Sequence, residues 1–276
     1  MTRAVGQEGF CLEAIGEKEK REDGKVPLNK VGPGNMYQDF VDFTHSHLAG
    51  ECPHKCQYCY VTSMARRFPA MAERYSGEPR LLSMEFGVDY NKRWRPTPNS
   101  EWRAGKTIFI ENCSDLFAEG IPSQWIDMIL THCRDYPINT YIFQTKNPGR
   151  VNKFLNKGPY FPPRFMIGTT AESDFADPSK SQAPPVYERL NAMYLMDCPP
   201  ERRFITIEPI LQFQPKLFLA LLLATNVPTF YIGADSKKHG LPEPTWEEIG
   251  ALVRALREAG KTVVLKSNLK RLYKGE

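Results

Sequence analysis

Three cysteines share one short run, Cys52-Pro53-His54-Lys55-Cys56-Gln57-Tyr58-Cys59, with the spacing C-x3-C-x2-C. Iron–sulfur clusters are held by cysteine thiolates, and a cubane cluster has four irons to ligate. Three local thiolates leave one iron open. An open metal position is where a reactant binds, by the logic that keeps catalytic zinc one protein ligand short. A zinc site would want a fourth ligand. His54 is the local candidate and lies between two of the cysteines, poorly placed to face the same ion, while His45 and His47 precede the run. Structural disulfides need an oxidising compartment, and residues 1–10 show no apolar stretch of the secretory kind. The run points to a 4Fe-4S cluster on Cys52, Cys56 and Cys59.

Polar groups recur further along the chain. Asn112, Ser114 and Asp115 flank Cys113 and could accept from an ammonium group, Asp115 as the anionic member, or Asp115 could cap a helix. Gln144 and Lys146 follow, and Lys146 suits a carboxylate or a phosphate. Thr170 and Glu172 suit ribose hydroxyls. Glu208 precedes Pro209, and Asp235, Lys266 and Asn268 come later. Between residues 91 and 103 lie Arg93, Trp94, Arg95 and Trp102. Cations interleaved with indoles suit phosphate contact and base stacking. The same tryptophans would equally serve to pin a surface loop.

These groups need a scaffold. Strand-like segments, short, β-branched and aromatic, fall at about 40–44, 107–111, 140–145, 165–170, 203–208, 229–233 and 262–266. Most are apolar on both faces, as buried parallel strands are. Helix-like segments alternate with them at about 61–75, 123–134, 149–155, 185–196, 216–224 and 245–258. Pro122 and Thr245 read as helix starts and Gly260 as a stop. Strand–helix alternation predicts an α/β fold, a partial or near-complete (β/α) barrel of about six to seven parallel strands with helices outside. The polar groups then fall at strand ends, where such barrels gather their chemistry.

The chain has 276 residues and a formal net charge of +4. That size fits one domain over 36–276, preceded by an N-terminal arm over 1–35 with a mixed charge run at 17–25. Residues 76–106, rich in Gly and Pro, form no clear element and read as an insertion. The mild basicity permits a polyanionic partner. The longest apolar run, 217–224, is too short for a bilayer. Seven cysteines without a secretory signal suggest a reducing cytoplasm. The reading is of a cytoplasmic monomer, with Cys133 and Cys198 as small apolar packing residues.

The cysteine run resembles the signature of the radical S-adenosylmethionine (radical SAM) superfamily. That resemblance implies that the open iron chelates SAM, that an electron from the cluster cleaves it to methionine and a 5′-deoxyadenosyl radical, and that a flavodoxin- or ferredoxin-like protein supplies the electron. It implies that Tyr58 shields the cluster or packs beside the adenine. Many members carry Gly-Gly-Glu after the second strand. This chain does not, so Asn112, Ser114 and Asp115 would serve there, with Gln144, Lys146, Thr170, Glu172 and Glu208 lining SAM. Residues 36–40, 114–117, 144–148, 207–210 and 265–269 further resemble the phage-type Gp37/Gp68 radical SAM family. That likeness implies remodelling of an amino-acid-bearing thymidine in phage DNA. One such reaction turns a glycine joined through nitrogen into one joined through carbon, a glycinyl-thymidine isomerisation. Lys266, Asp235 and Asn268 would hold the modified base. The departure is Cys113, where an apolar residue is expected. It is either a packing variant or a thiol facing the cluster and able to give a hydrogen atom. Radical chemistry on RNA, a peptide or a small metabolite, and a non-enzymatic metal-binding module, are the alternatives.

Overall fold

The computed structural model describes residues 28–32, 40–91, 105–156, 160–175 and 180–273. Arg93, Trp94, Arg95, Trp102, the charge run at 17–25 and residues 36–39 lie outside that set.

Seven strands lie parallel in one sheet: β2 (Phe43–His45), β5 (Thr107–Ile110), β6 (Thr140–Gln144), β7 (Phe165–Thr170), β8 (Arg203–Ile207), β9 (Thr229–Ile232) and β10 (Thr262–Leu265). They follow one another in sequence order, and β1 (Asn29–Lys30) adds an antiparallel edge on β2. Residues 29–30, read as part of an arm, thus belong to the sheet. Helices α3 (Ser123–Arg134), α4 (Pro148–Leu155), α5 (Val186–Tyr194), α6 (Pro215–Ala224) and α7 (Trp246–Glu258) connect successive strands. This is the open (β/α) barrel that the alternation predicts.

The two faces of the strands separate by their period of two. Ile108, Ile110, Tyr141, Phe143, Ile167, Ile205, Ile207, Phe230 and Ile232 join the large core beneath the helices. Phe109, Ile142 and Phe204, with Met166 and Tyr231 against them, face the other way and fill the lumen. Gly168 makes that filling possible. A Cβ there would stand 2.2 Å from the Phe204 ring, so only glycine lets the ring cross the lumen. Above this plug the inward positions turn polar.

Two segments differ from the expectation. The helix expected over 61–75 is two, α1 (Tyr60–Arg67) and α2 (Pro69–Arg74), with Phe68 extended between them. Proline disfavours helical backbone in the residue before it, and suits the first turn of the next helix. The described part of the insertion is also structured. Strand β4 (Arg80–Leu81) pairs antiparallel with β3 (Leu48–Ala49), a 3-10 turn spans Ser83–Gly87, and Tyr90 is buried. At α7, Thr245 and Glu248 form a reciprocal capping box. Among the described residues no helix is long and apolar enough to cross a membrane.

Candidate active site at the strand ends

The cysteine run lies between β3 and α1. Two tight turns shape it: Lys55 N–H donates to Cys52 O at 3.1 Å and Cys59 N–H to Cys56 O at 3.1 Å. The run is then tied to two other loops. His54 Nε2 lies 2.8 Å from Asp115 Oδ2, on the loop after β5. On the loop between β7 and α5, Gln182 N–H donates to His54 O at 2.7 Å, and Lys180 O accepts from Gln57 N–H at 2.8 Å. Ser181 Oγ sits 3.1 Å from Cys56 Sγ. The first residue of α1 adds a further tie, as Tyr60 donates its hydroxyl to Asn112 O at 2.5 Å.

Cys52, Cys56 and Cys59 are free thiols, each partly accessible. Burial pushes Cys52 up, with the negative charge of Asp115 and of the other two cysteines adding to it. Burial also raises Cys56, while Lys146 and the Ser181 hydroxyl pull the other way. Three mutually repelling thiolates in a half-buried loop need a positive centre to ionise together, which iron supplies. Among the described residues no three His, Cys, Asp or Glu side chains gather closely enough for one ion. A cubane cluster does not ask that of them, because each thiolate takes a different iron. The donor set and its electrostatics therefore fit a cluster better than a single cation.

Beside the cysteines stands a buried ionic group. Lys146 and Glu172 form an ion pair, and Arg189 Nη1 meets the other Glu172 oxygen at 2.9 Å. Thr170 Oγ1 is 2.6 Å from both Lys146 Nζ and Glu172 Oε1. Burial alone would raise the Glu172 carboxyl, but Arg189 and Lys146 hold it far below the carboxylate range. Lys146 Nζ also lies over the Tyr58 ring, 5.0 Å from its centroid. Of these residues Tyr58, Glu172 and Arg189 line a cavity of about 570 Å³, together with Phe175, Lys180, Ser181 and Gln182. Lys146, Thr170, Glu172 and Tyr58 are thus brought together.

A second group spans β8, β9 and β10. Glu208 pairs with Lys266, and Asn268 Nδ2 donates to Glu208 Oε1 at 2.9 Å and to Ala234 O at 2.8 Å. Gly233 admits the pair, since a Cβ there would lie 2.7 Å from the Glu208 carboxyl carbon. Burial lowers the Lys266 ammonium, opposed by Glu208. Glu208 therefore stands with Lys266 and Asn268 rather than with Lys146. Asp235 is turned to its own loop, accepting from Lys237 N–H at 3.0 Å and contacting His239 Nδ1 at 2.8 Å. Gln144 accepts from Thr206 across the lumen at 3.2 Å. Asp115, buried, accepts from His54, from Lys146 N–H at 2.7 Å and from Phe117 N–H at 3.0 Å, and heads no helix. Asn112 Oδ1 accepts from Ser46 at 3.3 Å, and Ser114 follows on the same loop.

Three features are absent from the sequence reading. Arg189 could have been found, because it shares the buried stripe Val186, Leu190 and Met193 of α5, and an arginine there demands an anion. Ser181 carries no local signal. Nor does the buried network of His45, His47, His132, Tyr90 and Glu111, in which His47 Nε2 meets His132 Nδ1 at 2.9 Å and His47 N–H donates to Glu111 at 2.6 Å. Burial pushes Glu111 up to about 8. Cys113 Sγ lies 3.6 Å from the Tyr60 hydroxyl and also contacts Tyr75, so it is a hydrogen-bonded thiol and not an apolar packing group alone.

Fold and site together define an α/β partial barrel with a three-cysteine loop at the mouth of its strands. The chain belongs to the family described as protein of unknown function (DUF5131), whose model matches residues 39–239. No curated protein matches the sequence. Solved structures of spore photoproduct lyase share the fold. A cysteine-to-alanine variant superposes with a TM-score of 0.60 at 12% identity, covering 89% of this chain and 80% of that one. A cysteine-to-serine variant gives 0.60 at 10%, covering 92% and 87%. A variant with bound AdoMet and dinucleoside spore photoproduct gives 0.52 at 12%, covering 86% of this chain, which spans 65% of the lyase's length. At such identities the likeness is one of fold.

Proposed function

We propose that this protein is a radical SAM enzyme that rearranges an amino-acid-modified thymidine, a glycinyl-thymidine, in phage DNA. The observation that carries the first half is the cysteine loop itself. C-x3-C-x2-C sits at the strand ends of an open barrel, its thiols electrostatically coupled, beside a cavity lined by Tyr58, Glu172 and Arg189, with Lys146 paired to Glu172. When bound, a 4Fe-4S cluster and SAM supply one-electron cleavage of SAM and the primary carbon radical that takes hydrogen from a C–H bond.

The chain's own residues hold and orient. Cys52, Cys56 and Cys59 ligate the cluster. Asn112 and Ser114 offer acceptors to the SAM ammonium, and Asp115 fixes the loop that carries them. Lys146 offers a cation to the SAM carboxylate, Thr170 and Glu172 face its ribose, and Gln144, which accepts from Thr206, is a further polar group for SAM. Tyr58 packs beside the adenine.

The substrate half rests on the second polar group and on the motifs shared with the phage-type family. A glycine bears both an ammonium and a carboxylate. Glu208 and Lys266 offer one charge to each, and Asn268 holds Glu208 in place. The spore photoproduct lyase whose fold this chain shares is bound to a dinucleoside lesion, which supports a nucleic-acid substrate. A base in duplex DNA must be flipped to reach a barrel mouth, at a cost of a few kcal/mol. Arg93, Trp94, Arg95 and Trp102 would grip the strand, and a flavodoxin- or ferredoxin-like reductase would supply the electron.

The test is anaerobic. Reconstituted wild type and Cys56→Ala are reduced with dithionite and given SAM, with and without an oligodeoxynucleotide bearing nitrogen-linked glycinyl-thymidine. Wild type alone should release 5′-deoxyadenosine and yield the carbon-linked isomer. A colourless wild type carrying zinc defeats the reading, and SAM cleavage without isomerisation moves the substrate to another class. DNA affinity that is indifferent to salt would remove the phosphate contacts, because neutralising phosphates releases counterions.

A further inference from the structure

We infer that Ser181 donates a hydrogen bond to the Cys56 sulfur and thereby raises the reduction potential of the cluster bound there. The inference rests on the function proposed above and adds a residue that no sequence motif marks.

A serine hydroxyl has one proton to give and lone pairs to accept. Three groups surround Ser181 Oγ. Ala183 N–H donates to it at 3.1 Å, Cys56 Sγ lies at 3.1 Å and His54 O at 3.4 Å. The proton has two possible acceptors, and they are unequal. His54 O already accepts Gln182 N–H at 2.7 Å. A ligating cysteine is a thiolate and has no proton of its own. Between a ligating Cys56 and Ser181, only the serine can donate, and the closer, charged acceptor takes its proton.

The backbone holds the hydroxyl in place. Gln57 N–H to Lys180 O and Gln182 N–H to His54 O bracket Ser181, so it is fixed against the cysteine run by bonds on both sides. Cys52 also has a hydrogen-bond partner, but that is the backbone N–H of His54, which substitution leaves in place. The Ser181 contact is a side-chain one and can be removed. Hydrogen bonds to cluster sulfurs draw charge from the iron and favour the reduced state, and they are among the determinants of cluster potential. The same segment, 180–183, walls the 570 Å³ cavity.

The full chain is reconstituted as wild type, Ser181→Ala, Ser181→Thr and Ser181→Val, and the midpoint potential is measured by EPR-monitored titration without SAM. Thr and Val have one shape and differ in the hydroxyl. The alanine and valine variants should titrate at a more negative potential than wild type and threonine. Their Fe–S(Cys) stretching bands should lose a deuterium sensitivity that wild type and threonine keep. Iron lost from the valine but not the threonine variant supports the same contact through affinity. Full iron with an unmoved potential in the alanine or valine variant overturns the inference alone. Iron lost equally from threonine and valine variants also overturns it, because shape and not the hydroxyl then decides. A wild type that takes up no iron overturns the functional reading, and this inference with it.

Discussion

His54 Nε2 lies 2.8 Å from Asp115 Oδ2, so a residue inside the cysteine run is tied to the loop after β5, and both side chains are buried. Burial opposes the Asp115 charge. His54 and the N–H of Lys146 outweigh it and hold the carboxyl below its ordinary value. A depressed carboxylate stabilises the fold above its unfolded pKa, near 4, and that share is lost as pH falls through the folded value. Asp115→Ala should cost about 3 kcal/mol at pH 7, because the buried donors of His54, Lys146 and Phe117 lose their acceptor. The gap to wild type in urea midpoint should narrow in acid. A gap that does not change with pH would show that the charge is not what the pair contributes.

Glu111 shows the opposite sign. Its carboxyl, pushed up to about 8 by burial, is neutral in the fold at pH 7 and ionised in the unfolded chain. Its contribution is complete below the unfolded pKa and is lost as pH rises toward 8, at about tenfold in the folding equilibrium per pH unit across that window. Glu111→Gln removes this slope while disturbing the bond from Leu48 N–H at 3.2 Å. Denaturation midpoints between pH 5 and pH 9 should therefore fall for wild type and stay flatter for the variant.

Arg189→Met should leave Glu172 buried with one cation in place of two. Removing one partner of such a group costs on the order of 3–5 kcal/mol. Arg189→Met with Glu172→Gln should recover part of that loss, because the stranded charge goes with it. A double variant no more stable than the single one would argue that packing by the arginine stem dominates.

Gly233→Ala should move the Glu208–Lys266 pair, since its Cβ would enter the Glu208 carboxyl group. Overpacking of this kind costs about 1–3 kcal/mol. The informative result is selective: SAM cleavage should persist while conversion of the glycinyl-thymidine substrate falls at least about tenfold, the factor that corresponds to roughly 1.4 kcal/mol. Equal loss of both activities would mean that Glu208 serves SAM, as the motif resemblance alone suggested.

The sheet was legible because each strand announces itself locally. Segments such as 140–145 and 203–208 are short, β-branched or aromatic, and apolar on both faces, and they match β6 and β8 within a residue or two. The breaks in that legibility also have local causes. Pro69 splits the first helix, and the two-residue pairing of β3 with β4 is too short to carry a period. At the site, Lys146, Thr170 and Glu172 could be read as strand-end groups, but not as one ionic cluster with Arg189.

The sequence by itself determined the three-cysteine loop, the strand–helix alternation and the polarity of the strand ends, because spacing and hydrophobic period act over a few residues. Tertiary structure alone decided which of those ends meet. Ser181 reaches Cys56 across 125 residues of chain, and Lys266 reaches Glu208 across 58. Such partners depend on the order and curvature of the strands between them. Pairing β8, β9 and β10 side by side in one curved sheet brings their ends to a common lumen, and only there does a buried charge need, and find, its opposite.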